Sequence, residues 1–285
     1  MSAELMTRVK DKFVTIDGLR IRYIEEGQGP AVIFLHGASL GSSADVFIRN
    51  LGPLARAGLR AIAYDQPGFG LSDVPTDHSP AYRRDSIPKF IDALGLKKVA
   101  LVGHSQAGNP AVQLALKEPE RYSHIIVLGT GSLLPPLDGA GDSEGAAQQR
   151  LERRMAAEEP TIEDTRKLLE ANLFHHELIT PDELALRHSR SIGQNFEAFV
   201  ARSKQAEGAP AKEAKTPIWQ RLIELKMPLL MIFGREDRAR AFDRATLLKQ
   251  TYPQLDLHIV NGCKHLVPWD AADDFVRLAV PFLKK

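Results

Sequence analysis

Ser105, Asp237 and His265 are the residues of this chain whose types and settings could carry out acyl transfer. A serine hydroxyl alone is a weak nucleophile. It needs a base to take its proton, and the base needs an acid to hold its orientation. Ser105 lies in Val99-Ala100-Leu101-Val102-Gly103-His104-Ser105-Gln106-Ala107-Gly108, where an apolar β-branched run ends in Gly-x-Ser-x-Ala-Gly. The sequence then continues as Pro110 to Leu116, which reads as a helix. Strand, tight turn and helix form the context of a nucleophile elbow, and the small residues at 103, 107 and 108 leave room for it. Asp237 follows Phe233-Gly234-Arg235-Glu236 at the end of a predicted strand, with Glu236 as the fallback acid. His265 lies in Asn261-Gly262-Cys263-Lys264-His265, a loop after the last predicted strand.

The chemistry also needs two donors for the oxyanion that develops on the attacked carbonyl. The backbone N–H of Gln106, at the start of the helix, supplies one, and the His36-Gly37-Ala38 loop supplies the other through the N–H of Ala38. A serine at a strand–helix junction is ordinarily an N-cap, and an aspartate after a strand is commonly a turn residue. Small neighbours and chain order favour the catalytic reading here. Other histidines fall in less suitable places: His175, His176 and His188 in a helical region, His78 in a loop, His258 on a strand, His124 at the start of one. No spacing among them suggests a metal site, so neither metal nor cofactor is expected.

These residues must be held by alternating strands and helices. Strands are predicted at Lys12–Ile16 and Leu19–Glu25 around an Asp17-Gly18 turn, then at Ala31–Leu35, Arg60–Tyr64, Val99–His104, His124–Gly129, Pro228–Gly234 and Leu255–Val260. Helices are predicted at Ala44–Ala57, Pro80–Leu94, after Ser105, and at Ala271–Leu283. The pattern is α/β with a mainly parallel sheet. The loop Asp65–Ser72 reads as structural, shaping the floor of the site. Residues 133 to 217 interrupt the pattern: a Pro/Gly-rich loop to 147, an Arg/Glu-rich helical stretch over 148–204, and a flexible return. We therefore expect an α/β core at 1–132 and 218–285 with a helical cap or lid at 133–217. The run Arg150 to Arg154 reads as a solvated helix face. Trp219, Leu266 and Trp269 are candidate pocket walls.

The 285 residues suffice for a sizeable core, and 26% charged and 44% hydrophobic residues are ordinary for a globular protein. A net charge of +1 favours neither nucleic acid nor anionic lipid. The single cysteine, Cys263, excludes an intramolecular disulfide. Met1 to Lys10 has no apolar core of a signal peptide, and no stretch is long enough to span a membrane, so a cytoplasmic protein is expected.

With these motifs in place the chain resembles the α/β-hydrolase superfamily over nearly its whole length. The resemblance rests on His-Gly (36–37), Asp-x-Pro-Gly-x-Gly-x-Ser (65–72), the elbow, Gly-Arg-Glu-Asp-Arg (234–238), Gly-Cys-Lys-His (262–265) and the order Ser…Asp…His. It implies an α/β-hydrolase fold with a helical cap. Within the superfamily the chain is most similar to the meta-cleavage-product hydrolases, which cut carbon–carbon bonds in ring-opened aromatic catabolites. Arg49-Asn50-Leu51-Gly52-Pro53-Leu54 and Leu178-Ile179-Thr180, with Arg187 seven residues after Thr180, carry that likeness. It implies that Arg187 binds the dienoate carboxylate. The chain departs from the family at Ala38-Ser39-Leu40-Gly41, His104, Ala107 and Leu266. His104, Leu266 and Trp269 join Arg187 as expected substrate contacts. The expected activity is that of a serine hydrolase on a small carbonyl substrate, with 2-hydroxy-6-oxo-dienoate cleavage leading. A carboxylesterase or lactonase is the alternative, and a hydrolase-fold binding protein with negligible turnover is the rival of another class. The partner implied is the small-molecule substrate, without nucleic acid or membrane, and a homodimer is the assembly considered.

Overall fold

A computed structural model of the chain describes residues 9–137, 154–207 and 216–285. The predicted basic face from Arg150 to Arg153, most of the predicted 133–147 loop, the return over 208–215 and the extreme N-terminus lie outside the described residues.

The chain begins with a hairpin of β1 (Lys12–Ile16) and β2 (Leu19–Glu26), antiparallel and in register from Lys12↔Tyr23 to Ile16↔Leu19. Asp17 and Gly18 turn it with φ of 51° and 79°, the pair of positive values that a two-residue type I′ turn requires. Then come β3 (Ala31–Leu35), β4 (Arg60–Tyr64), β5 (Val99–His104), β6 (Tyr122–Leu128), β7 (Leu229–Gly234) and β8 (Asp256–Val260). They form an eight-stranded sheet in the order β1-β2-β4-β3-β5-β6-β7-β8, parallel from β4 to β8.

Strands β3, β5 and β7 are buried at every residue, which explains their uninterrupted apolar sequences: helices cover both faces. On one face Val32, Phe34 and Val102 pack with Leu51 and Leu54 of α1 (Ile48–Arg56) and with Phe275 and Ala279 of α9 (Ala272–Leu283). On the other, Ile33, Leu35 and Leu101 pack with Ile87 and Phe90 of α2 (Pro80–Ala93), Ala111 and Leu114 of α3 (Gly108–Lys117), and Leu248 of α7 (Ala241–Thr251). The short α8 (Val267–Asp270) precedes α9.

The sheet order reverses between β3 and β5, since β3 leads outward to β4 and β5 leads the other way to β6. A crevice opens beyond the carboxyl ends of strands at such a point, and ligands bind there. Leu35 pairs with Gly103, so the His36-Gly37 loop and Ser105 emerge side by side.

Three expected elements differ in detail. The helix expected at Ala44–Ala57 is a 3₁₀ turn at Ala44–Phe47 followed by α1. His124 is the third residue of β6 rather than its first, because Tyr122 already pairs with Val99, and its ring packs against Phe282. The helical stretch expected over 148–204 comprises, where described, α4 (Ile162–Asn172), α5 (Pro181–Ser189) and α6 (Gln194–Glu207). Local sequence explains the breaks. Thr161 and Asp164 form a capping box for α4, and Thr180 caps α5 with Pro181 in its first turn.

Candidate active site

β5 delivers Ser105 on a strained turn. Its φ is +56°, rare for a non-glycine residue and tolerated where surrounding structure fixes it. The turn closes because Gly103 lacks a side chain: a Cβ there would lie 2.7 Å from the Ala107 carbonyl oxygen and from the Gly108 Cα. Thr130, beyond β6, donates its hydroxyl to the Ser105 carbonyl at 2.7 Å and pins the turn from the other side.

Ser105 Oγ lies 2.8 Å from His265 Nε2, and His265 Nδ1 lies 3.1 Å from both carboxylate oxygens of Asp237. A proton on Nδ1 donates to the carboxylate, which leaves Nε2 unprotonated and able to accept the serine proton. Asp237 also accepts the N–H of Arg238 at 2.7 Å. Glu236, the fallback acid, points elsewhere. Its carboxylate accepts the N–H of Cys263 at 3.0 Å, while its own N–H donates to the Cys263 carbonyl at 3.1 Å. It braces the loop that carries His265. Cys263 is fully buried in that brace, and burial, aided by nearby carboxylates, pushes its thiol far above the ordinary range.

Two further histidines are held neutral. His36 is buried between Gln66, whose N–H donates to its Nε2 at 3.0 Å, and the Gly37 carbonyl, 2.7 Å from its Nδ1. His104 Nε2 lies 2.9 Å from the His265 carbonyl oxygen and donates to it. Burial pushes both imidazoles down to about 3. A Cβ on Gly37 would sit 3.0 Å from that of Ser105, so the expected oxyanion loop passes directly beside Ser105.

A narrow cavity opens at Ser105, with His36, Gly37, His104, His265 and Leu266 on the core side. Leu168, Leu169 and Asn172 of α4 and Arg187 of α5 line the other side, with Val46, Ser39 and Ser42 between. The structure thus brings together Ser105, His265, His104, Leu266 and Arg187, and places Asp237 behind His265. Trp269 is not among the lining residues. Its indole N–H donates to the Val46 carbonyl at 2.9 Å, so it supports the wall from behind. Trp219 packs near Tyr252 in the core, away from the cavity. Sequence reading missed Asn172, Leu168 and Leu169, which a helical spacing on α4 could have shown. Ser39 falls in the Ala38–Gly41 segment where the chain departs from the family, whereas Ser42 carried no local signal.

Arg187 is electrostatically unusual. Its guanidinium donates to the Leu40 carbonyl at 3.1 Å and to Ser39 Oγ at 3.3 Å, both neutral, while its buried Nε has no partner. Burial lowers it to about 10. A cation held in a cavity by neutral oxygens is poised for an anion. Among the described residues no cluster of histidine, cysteine and carboxylate groups is placed to hold a metal ion.

The model for the alpha/beta hydrolase fold matches residues 30–272 of this sequence. The chain belongs to the α/β-hydrolase family. It is a hydrolytic enzyme, and its relatives within that family are consistent in kind. It is 34% identical to a 2-hydroxy-6-oxo-6-phenylhexa-2,4-dienoate hydrolase of Burkholderia cepacia over 98% of each chain. It is also 34% identical to a 2-hydroxy-6-oxononadienedioate/2-hydroxy-6-oxononatrienedioate hydrolase of Comamonas testosteroni over 99% of each. Among solved α/β-hydrolases, the meta-cleavage product hydrolase of Pseudomonas fluorescens IP01 superposes with a TM-score of 0.76 at 25% identity, covering 96% of this chain and 97% of the other.

Proposed function

We propose that this hydrolase cleaves the carbon–carbon bond next to the ketone of a 2-hydroxy-6-oxo-dienoate, with Ser105, His265 and Asp237 as its triad. The observation that carries this reading is Arg187: a half-buried guanidinium hydrogen-bonded only to neutral oxygens, in the same cavity as the Ser105 hydroxyl. Relatives named for such substrates, aligned over nearly the whole chain, support it. Helices α4 to α6 act as the cap, since Asn172 and Arg187 face the cavity from them.

The substrate's carboxylate pairs with Arg187 and its far carbonyl lies over Ser105. Ketonisation of the dienol comes first, giving a 2-keto group conjugated to one remaining double bond. His265 then takes the Ser105 proton and the hydroxyl oxygen adds to the far carbonyl carbon. The N–H groups of Ala38 and Gln106 hold the resulting oxyanion. Collapse breaks the carbon–carbon bond, and its electron pair leaves as a dienolate delocalised onto the 2-keto oxygen. His265 returns its proton to that fragment. Water, activated by the same histidine, releases the acid from Ser105. Leu266 and His104 border the bound chain.

Two measurements test this. A fluorophosphonate probe should add once, on Ser105, by intact mass; an unlabelled Ser105 would sink the nucleophile assignment. Arg187→Ala should raise KM for a coloured dienoate by about 10- to 100-fold, the cost of one charged hydrogen-bond partner. An unchanged KM in that variant would return the substrate to the neutral esters or lactones.

A further inference from the structure

Arg187 has no carboxylate hydrogen-bonded to it, only the nearby charge of Asp45, yet its helix is not loosely placed. Glu183, Arg187 and Arg190 stand at i, i+4 and i+7 on one side of α5 and its C-cap, the spacing that aligns side chains along a helix face. Opposite them lie Asp45, in the 3₁₀ turn, and Arg49, in α1, also four residues apart. The two sets pair in antiparallel order. Arg49 Nη2 is 3.1 Å from Glu183 Oε1, and Arg190 Nε is 3.1 Å from Asp45 Oδ2. Arg187 sits between these pairs and reaches past them to Leu40 and Ser39.

The charge order makes the arrangement directional. The core offers acid then base (45, 49), and the cap offers acid then base (183, 190), so only antiparallel docking joins opposite signs. A slip by one helical turn would set Glu183 near Asp45 or Arg190 near Arg49. Both pairs are largely withdrawn from solvent, with the Glu183 side chain 3% and that of Asp45 9% exposed, and separating such charges leaves them buried without partners. Each is anchored again on the core. Arg49 lies 5.3 Å over the Trp269 ring, and Asp45 is bound by Arg22 Nη2 at 2.7 Å.

We infer that Arg49, Glu183, Asp45 and Arg190 are positioning residues that fix the distance between the Arg187 guanidinium and Ser105. They thereby favour substrates whose carboxylate stands at that distance from the reacting carbonyl. The inference rests on Arg187 as the carboxylate holder and extends it to the groups that aim it.

The Arg49–Glu183 pair allows a clean test, because neither member lines the cavity. Arg49→Glu, Glu183→Arg, the neutral Glu183→Gln and the double swap Arg49→Glu/Glu183→Arg would be assayed on a dienoate and on a short neutral aryl ester. Each single change should raise KM for the dienoate about tenfold, within the coupling expected of one buried pair, and leave ester turnover within about twofold. The double swap should recover most of the loss. Equal losses on both substrates would mean a merely structural pair and overturn the inference, as would an unchanged dienoate KM in folded single variants or a folded swap without recovery. If Arg49→Glu does not fold, Glu183→Gln decides between the same outcomes. Arg187→Ala separates the two readings. A raised KM there with unaffected Arg49 and Glu183 variants defeats only the positioning inference, whereas an unaffected Arg187→Ala defeats the dienoate assignment itself.

Discussion

The Ser105 backbone is held at φ +56° by contacts that lie outside its own side chain. Removing the hydroxyl should therefore leave the elbow in place. Ser105→Ala is expected to keep the wild-type unfolding midpoint while turnover falls by about 10⁶, the scale seen when a triad nucleophile is deleted. Steady-state assay and thermal melts on one preparation check both halves. Gly103→Ala should behave in the opposite way. A methyl 2.7 Å from the Ala107 carbonyl oxygen must push the turn open, so we expect about 1–3 kcal/mol of destabilisation and displacement of Ser105 from His265. Urea titration measures the first and probe labelling rate the second. A Gly103→Ala protein as stable and as reactive as wild type would show that the turn has slack. The residue types at 103, 105, 237 and 265 were readable in the sequence because each performs a local duty next to a strand end. The duty of His104 was not. Its ring supports the His265 carbonyl from 161 positions away in the chain, and no local pattern encodes such a contact.

At the scale of elements, one carboxylate sews the His265 loop to the segment that follows α4, the proposed cap. Asp270 of α8 accepts the N–H groups of Phe174 and His175 after α4, at 2.8 and 3.0 Å, and that of Lys264 at 2.9 Å. Lys264 and Leu266 then reach the carbonyls of Glu170 and Asn172. Asp270→Asn keeps the shape but turns an amide donor toward donors. Hydrogen exchange should quicken at the amides of 174, 175 and 264 together, with a stability loss of about 1–3 kcal/mol and a lower kcat. Exchange that quickened at 264 alone would mean that loop and cap are not joined through this group. Strand positions were legible in the sequence almost to the residue, because buried parallel strands are written as short apolar runs between turn residues. The stitches between loop and cap were not, since a backbone N–H has the same identity at every position.

For the whole molecule, two buried histidines make stability fall in acid and one buried carboxyl opposes them. His36 and His104 are pushed down to about 3 by burial, against 6.5 for an ordinary imidazole. Neighbouring Arg187 adds to the effect on both, and Arg83 and Arg202 on His36, whereas Asp237 opposes it on His104. Between those limits the unfolded chain binds protons that the folded one does not. Stability is complete above pH 6.5 and falls as pH drops, by about 1.4 kcal/mol per pH unit for each group. Asp65 has the opposite sign. Burial raises its carboxyl to about 6, so between pH 6 and 4 the folded chain takes up a proton that the unfolded chain lacks. It opposes the two histidines, so stability should still fall with pH across that window but less steeply than they alone would make it. Urea midpoints at pH 7, 6, 5 and 4.5 test this, and a flat or rising trend would contradict it. Fold class was legible because strand and helix alternate in period and because the motifs fall at strand ends. The reversal of strand order between β3 and β5, which makes the crevice, is a property of the pairing of distant strands and is invisible to local pattern.

Cys263 offers a different use. It is the sole cysteine of the chain, fully buried two residues before His265 and held by Glu236 through both of its backbone groups. A thiol so placed cannot meet an alkylating reagent until the loop around it lifts. Its modification rate under native conditions is therefore a built-in clock for excursions of the His265 loop, read without any added label, and a ligand that fills the cavity should slow it.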